Sequence, residues 1–340
     1  MIDGKTSGTE LLTVEDLRVD LMTGRGIVYV VNNVSFSVGR GEIHGLVGES
    51  GCGKTIMTKA IMGLCNRKRS RVAGSIRLEN RELLGLPESE MRKIRGKRIS
   101  MIFQDPMTSL SPLETIGAQL EETLANHFRL SARERHNRAL KLLEWVGLQP
   151  AEDRHRQYPF ELSGGMQQRV MIACAIACEP ELLIADEPST ALDVTIQAQI
   201  LSLLRRLQQE LGMSVLLITH NFAVVAEICD RVSVMYAGEI IETADTKTLL
   251  TVPVHPYSRM LLECIPRGYA ANGGAGQRLK VIPGSPPQLR ERPSGCSFAN
   301  RCPDVTKDCV SRPEPYWDEG GHTVLCRRAK EERAYERHFA

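Results

Sequence analysis

Along the first 250 positions, apolar residues recur in two patterns. Short unbroken runs at Glu42–Val47, Ile99–Phe103, Leu182–Ala185 and Val215–Thr219 have the texture of strands buried on both faces. Leu12–Leu21, Val28–Val38 and Arg231–Tyr236 add further strand-like segments. Between them the spacing changes to that of helices, over Ile56–Leu64, across about 108–170, and over Thr195–Leu211. In the last of these, Ile196, Ile200, Leu203, Leu204, Leu207 and Leu211 share one face and Gly212 supplies a C-cap. Ser131 with Glu134 three residues later forms a capping box ahead of an apolar helix that Gly147 stops. Strands alternating with helices predict a mostly parallel α/β sheet.

After about residue 250 the texture breaks. Pro253, Pro256, Pro266, Pro283, Pro286 and Pro287 interrupt regular structure, and Asn272-Gly273-Gly274 reads as a flexible turn. The 340 residues therefore divide into a domain over 11–250, with a helical subdomain at about 108–170, and a small C-terminal extension over 251–340. No internal repeat of solenoid period is present.

Composition narrows the class. A hydrophobic fraction of 42% and a charged fraction of 25% fit a globular protein and exclude a disordered or collagenous chain. Lys and Arg number 43 against 41 Asp and Glu, a net +2, so no polycationic field exists to attract nucleic acid. The longest apolar runs fall far short of the ~20 residues a spanning helix needs, and Met1–Glu10 has no signal-peptide apolar core. The expectation is a cytoplasmic chain that only a partner would hold at a membrane.

The chemistry begins after the Glu42–Val47 strand. Gly48-Glu49-Ser50-Gly51-Cys52-Gly53-Lys54-Thr55 fits G-x-x-x-x-G-K-[ST] in full, between a buried strand and a helix. Its glycines let backbone N–H groups surround phosphate oxygens, helped by the positive end of the helix. Lys54 would reach the β- and γ-phosphates and Thr55 would bind Mg²⁺. Leu182–Ala185 runs into Asp186 and Glu187, placing one carboxylate for the metal and one as general base for water. Leu162-Ser163-Gly164-Gly165-Met166-Gln167-Gln168-Arg169 offers a second anion-binding helix start.

Taken together these segments resemble the nucleotide-binding subunit of an ABC transporter, with GESGCGKT as Walker A, LSGGMQQR as signature and LLIADE as Walker B. The resemblance implies a P-loop fold: a mostly parallel sheet core, an antiparallel β subdomain and an α-helical subdomain. It also assigns Gln104 to the Q-loop, contacting Mg²⁺ and the attacking water. Asp193 matches the D-loop residue at the dimer interface, and His220 the switch histidine at the γ-phosphate. Ser163, Gly164, Gly165 and Gln167 would then cap ATP held by a second subunit in a head-to-tail dimer. One departure stands out: the family's adenine-stacking aromatic has Leu21 at the matching position. Tyr29 is the neighbouring candidate, and reads equally as an ordinary strand residue.

Phe103–Leu110, Tyr158-Pro159, His255–Ser258 and Ile282–Pro287 resemble the oligopeptide/dipeptide importer branch, although Phe160 replaces its usual histidine. That branch implies two membrane permease subunits, an extracytoplasmic binding protein and often a second, non-identical ATPase, at the cytoplasmic face of the inner membrane. Its substrates include peptides, nickel chelates and glutathione. Cys296, Cys302, Cys309 and Cys326 follow a C-x5-C-x6-C-x16-C pattern, without the C-x2–4-C pairs of a zinc finger. The same branch implies a [4Fe–4S] cluster there; zinc and free structural thiols remain alternatives. Of the other six cysteines, most sit in apolar surroundings and read as small core residues. A non-transport ABC ATPase is the rival class. The interval from Thr55 to Ser163 leaves no room for a long coiled coil, and only one ATPase unit is present.

Overall fold

The computed structural model describes residues 10–105, 109–189, 192–264, 281–290, 294–311, 316–317 and 321–327. The Pro106–Thr108 part of the Q-loop motif, Thr190-Ala191 and the Asn272–Gly274 turn lie outside these residues.

Two sheets form. In the first, β1 (Glu10–Thr23), β2 (Gly26–Gly39), β4 (Ser70–Leu78) and β5 (Arg81–Glu82) pair antiparallel in the order β2-β1-β4-β5. The second contains β3 (Ile43–Val47), β6 (Ile99–Ile102), β7 (Leu182–Asp186), β8 (Ser214–Thr219), β9 (Arg231–Tyr236), β10 (Glu239–Asp245), β11 (Tyr316–Trp317) and β12 (Thr323–Val324). Its order is β11-β12-β10-β9-β3-β8-β7-β6. The five strands from β9 to β6 are parallel, and β10, β12 and β11 extend the edge antiparallel.

The central strands are buried along their whole length, as their unbroken apolar runs require. Alternate residues serve two cores. Leu183, Ala185, Val215 and Leu217 face the larger core, whereas Leu182, Ile184, Leu216 and Ile218 face the core under the antiparallel sheet. Helices α1 (Lys54–Ile61) and α2 (Glu88–Ile94) flank the second core with Met57, Ile61, Met91 and Ile94.

A helical layer follows: α3 (Ile116–His127), α4 (Ala132–Trp145), α5 (Ala151–Arg156) and α6 (Gly164–Ile176). The Ser131–Glu134 capping box starts α4 as expected, and Gly147 follows it with φ +75°. Then α7 (Val194–Leu211) ends at left-handed Gly212 and buries Ile200, Leu203, Leu204 and Leu207. Ile196 and Leu211 are only half-buried, because a face nearer the helix ends meets less of the core. Helices α8 (Phe222–Ile228), α9 (Thr246–Thr251) and α10 (Pro256–Glu263) complete the chain's helices among the described residues. No helix among them is long and apolar enough to cross a membrane.

The C-terminal segment contributes short 3-10 turns at Ala299–Arg301 and Lys307–Val310 and the edge strands β11 and β12. It is stitched to the main body: Phe298 is fully buried in the larger core, and Glu242 of β10 accepts from Val254 N, His255 N and His322 Nε2 at 2.7, 3.0 and 2.8 Å.

Candidate active site

Parallel register brings the chemistry together. Val47 pairs with Thr219, Asp186 with Ile218, and Ile102 with Ala185. The loops that leave β3, β6, β7 and β8 therefore emerge at one sheet edge, where ligands bind in open α/β folds.

The loop after β3 is shaped by close backbone approaches. A Cβ at Gly48 would lie 2.1 Å from the Met235 carbonyl oxygen, and one at Gly53 would lie 2.6 Å from that of Val30. Gly51 and Gly53 also take φ +81° and +111°, which only glycine adopts without strain. Lys54 is buried at the start of α1, its Nζ donating to the carbonyls of Gly48 (2.7 Å) and Glu49 (3.0 Å). Cys52 is buried under the loop, and burial pushes its thiol pKa up. Ser50 is exposed on the outer turn.

Asp186 ends β7 almost wholly buried, with its Oδ1 lacking any hydrogen-bond partner. Burial raises its pKa; the Thr55 hydroxyl beside it works in the opposite direction, and Glu187 reinforces the rise. A buried carboxylate oxygen without a partner, next to a hydroxyl, is the donor set a hard cation such as Mg²⁺ requires. Glu187 sits at φ +50°, a left-handed conformation uncommon for a non-glycine residue. Its backbone N–H donates to Ile218 O at 2.9 Å. Its carboxylate meets Gln104 Nε2 on Oε2 at 3.2 Å and His220 Nδ1 on Oε1 at 3.2 Å. Gln104, Glu187 and His220 thus converge although 83 and 33 positions separate the two partners from the glutamate.

Ser163 caps α6, its hydroxyl accepting from Met166 N at 3.4 Å. Among the described residues no hydrogen bond links it to the lysine loop. Gly164 and Gly165 instead pack on the start of α7, where a Cβ at Gly165 would come within 2.9 Å of Ile196. Asp193 is exposed and caps α7, accepting from Ile196 N at 2.9 Å. Gln167 differs from its signature neighbours. Its side chain turns inward and donates to the carbonyls of Pro159 (2.9 Å) and Leu162 (3.2 Å). It braces the turn before the signature, because a helix residue one turn in faces the core and not the exposed N-terminus.

Tyr29 is exposed on β2 next to Val30, whose carbonyl lies over Gly53. Leu21 is half-buried, paired with Val28 and Ser70.

The four C-terminal cysteines line one pocket together with His255, Phe298 and Asp304. Burial, followed by repulsion from Cys309, Cys326 and Cys302, pushes the Cys296 thiol up to about 11. None of the ten cysteines is in a disulfide. Among the described residues, only Glu121, His136 and His155 bring three potential ligand atoms within 4.8 Å. There Glu121 Oε1 lies between His136 Nδ1 (3.3 Å) and His155 Nε2 (2.9 Å), tying α3, α4 and α5.

Sequence reasoning missed Arg301, whose guanidinium holds the carboxylate of Glu49 in the phosphate loop. The signal was an acid inside an anion-binding loop, which demands a cation from somewhere else in the chain.

The fold and the convergent edge site define an ABC-type ATPase. Residues 31–190 match the ABC transporter family, and 241–309 match the C-terminal region of oligopeptide/dipeptide transporters. The chain is 48% identical over 303 residues to the oligopeptide transport ATP-binding protein OppD of Escherichia coli strain K12, covering 89% of this chain and 88% of that protein. It is 46% identical over 319 residues to the dipeptide transport ATP-binding protein DppD of Bacillus subtilis strain 168, covering 93% and 94%. Among solved structures it is similar to the ATP-binding cassette MJ0796 in a dimeric post-hydrolysis state bound to ADP and Pi. That match has a TM-score of 0.62 and 31% identity, and covers 69% of this chain and 98% of that one. The chain belongs to the ABC transporter family, with the C-terminal region of its oligopeptide/dipeptide branch.

Proposed function

We propose that this chain is the ATP-hydrolysing motor of an importer for di- and oligopeptides. It would work at the cytoplasmic face of the cell membrane with two permease subunits, an extracytoplasmic binding protein and a second ATP-binding subunit. The names of its relatives and the C-terminal family match support peptides as cargo over nickel chelates or glutathione. The observation that carries the chemistry is the convergence of Gln104 and His220 on Glu187, beside the unpartnered oxygen of Asp186.

In this reading the N–H groups of Gly48, Ser50, Gly51, Cys52 and Gly53 surround the ATP phosphates, the Glu49 N–H stays with the Tyr257 hydroxyl, and Lys54 exchanges loop carbonyls for phosphate oxygens. Thr55, Asp186 and Gln104 would hold Mg²⁺, which would supply charge neutralisation at the phosphates. Glu187 takes the proton of the attacking water, with Gln104 and His220 fixing its two carboxylate oxygens. Tyr29 supplies the exposed ring for adenine. Ser163, Gly164 and Gly165 present their helix start to ATP on the second subunit, and Asp193 lies at that interface. Gln167 acts behind them by holding the turn.

Glu187→Gln should keep ATP binding while hydrolysis falls about 10²–10⁴-fold, the usual worth of a general base. Radiolabelled ATP turnover beside an ATP titration checks this, and wild-type turnover would sink the assignment.

The four-cysteine pocket we read as the seat of a [4Fe–4S] cluster. One observation supports this: the four thiols line one pocket. Iron, acid-labile sulfide and zinc assays on anaerobically purified protein decide it. About four irons and four sulfides per chain are expected; stoichiometric zinc, or no metal, would refute the cluster.

A further inference from the structure

Glu49 is an acid within a loop that holds a polyanion. Left as a bare charge beside phosphate oxygens it would oppose nucleotide binding. The C-terminal segment answers that charge. Arg301 Nη1 donates to Glu49 Oε2 at 2.9 Å and its Nη2 to Oε1 at 3.0 Å, a two-pronged pair across 252 positions of sequence. The Arg301 side chain is only 5% exposed. It is fixed from behind: Nε donates to Pro283 O at 2.9 Å, Nη2 to Ile282 O at 3.4 Å, and Nη1 to Tyr236 Oη at 3.3 Å. Burial works against the charge on Arg301, but its bonds to Glu49 and Tyr236 outweigh that and push its pKa up.

The backbone of Glu49 is tied down as well. Its N–H donates to the Tyr257 hydroxyl at 3.1 Å, and Tyr257 is fully buried against Tyr236 and Phe298. Glu49 is thus clamped at both ends by residues from beyond the phosphate loop. Arg301 directly precedes Cys302 of the cysteine pocket.

We propose that Arg301 is a positioning residue for ATP. It neutralises Glu49 and holds it off the phosphates, so that the nucleotide affinity of the loop depends on the folded state of the cysteine-lined segment. The inference rests on the phosphate-loop assignment and not on which metal, if any, the cysteines hold.

The test measures ATP affinity and turnover on the full chain carrying Arg301→Gln, Glu49→Gln, and both. Arg301→Gln leaves an uncompensated carboxylate beside the phosphates. It should raise KM for ATP roughly tenfold or more, with kcat at saturation little changed. Added salt should shrink the defect by screening. Glu49→Gln leaves the cation instead, so ATP affinity should hold or tighten even as thermal stability falls. The double variant should recover most of the lost affinity. A clamp that served folding alone would make both single variants lose affinity together. That result, or a double variant as weak as Arg301→Gln, would overturn the proposal. Should Arg301→Gln fail to fold, Arg301→Lys keeps the charge without the two-pronged geometry. It should then bind ATP with a KM between wild type and the tenfold shift, and an unchanged KM with normal salt dependence would count against the role. Lys54→Ala, which removes the phosphate contact itself, separates the two ideas: retained ATP binding there would defeat the loop assignment and not Arg301.

Discussion

Lys54 shows what a single residue must satisfy here. Its ammonium is buried, and the Gly48 and Glu49 carbonyls supply the acceptors that burial demands. On the proposed assignment phosphate oxygens would replace those carbonyls without new desolvation, so Lys54→Ala should abolish most ATP affinity in a titration. Gly48→Ala should be as damaging for a different reason. Its Cβ would meet backbone at 2.1 Å, and backbone cannot rotate away as a side chain can. Gln167 gives a third kind of prediction. Gln167→Ala removes the donor to two carbonyls in a buried setting and should cost about 1–3 kcal/mol in denaturant unfolding. The motif made Gln167 legible as part of the signature but not which way it faces, because direction depends on the helix's packing.

At the level of elements, local rules were readable and register was not. Ser131 and Glu134 announced the start of α4, and the structure shows both bonds of the box. Ser131→Ala should lower stability by about 1 kcal/mol, seen as a small drop in Tm. Seven strands, β1, β2, β3, β6, β7, β8 and β9, were legible within one or two residues of their ends, whereas β4, β5, β10, β11 and β12 were missed: they lie at sheet edges or beside polar residues and carry no long apolar run. The order β9-β3-β8-β7-β6 was not legible, since each run is apolar on both faces and would pair with any other. The edge element β10 carries one source of pH dependence. Burial raises the pKa of Glu242, but the His322 hydrogen bond, Ser258, and the Val254 backbone N–H together bring it below the ordinary value of 4.5. A depressed carboxylate stabilises the fold above the unfolded pKa and loses that contribution as pH falls through the lowered one. Acid titration from about pH 5 downward should therefore loosen β12 and α10 in wild type. Glu242→Gln should be less stable at neutral pH and flatter across that range, read by hydrogen exchange at the two elements.

Over the whole molecule, the C-terminal segment is part of the ATPase body. It supplies two strands to the edge of the main sheet, Phe298 to the larger core, and Arg301 to the phosphate loop. Deleting residues 281–340 should expose the β10 edge and strand Glu49 without its cation. The expected outcome is a lower Tm together with weaker ATP binding, and a truncated chain with wild-type affinity would contradict the link.

By itself the sequence determined the lysine-loop motif, the Asp186-Glu187 pair, the Ser-Gly-Gly segment, His220 at a strand end and the strand–helix alternation that carries them. Each is written in contiguous residues, where glycine, apolar period and capping chemistry act over a few positions. Tertiary structure alone decided that Gln104 and His220 meet on Glu187, that Gln167 faces inward, and that Arg301 neutralises Glu49 across 252 positions. Those contacts depend on strand order and on the route of the last 60 residues. Both are set by how cores close in three dimensions, and no local pattern records that.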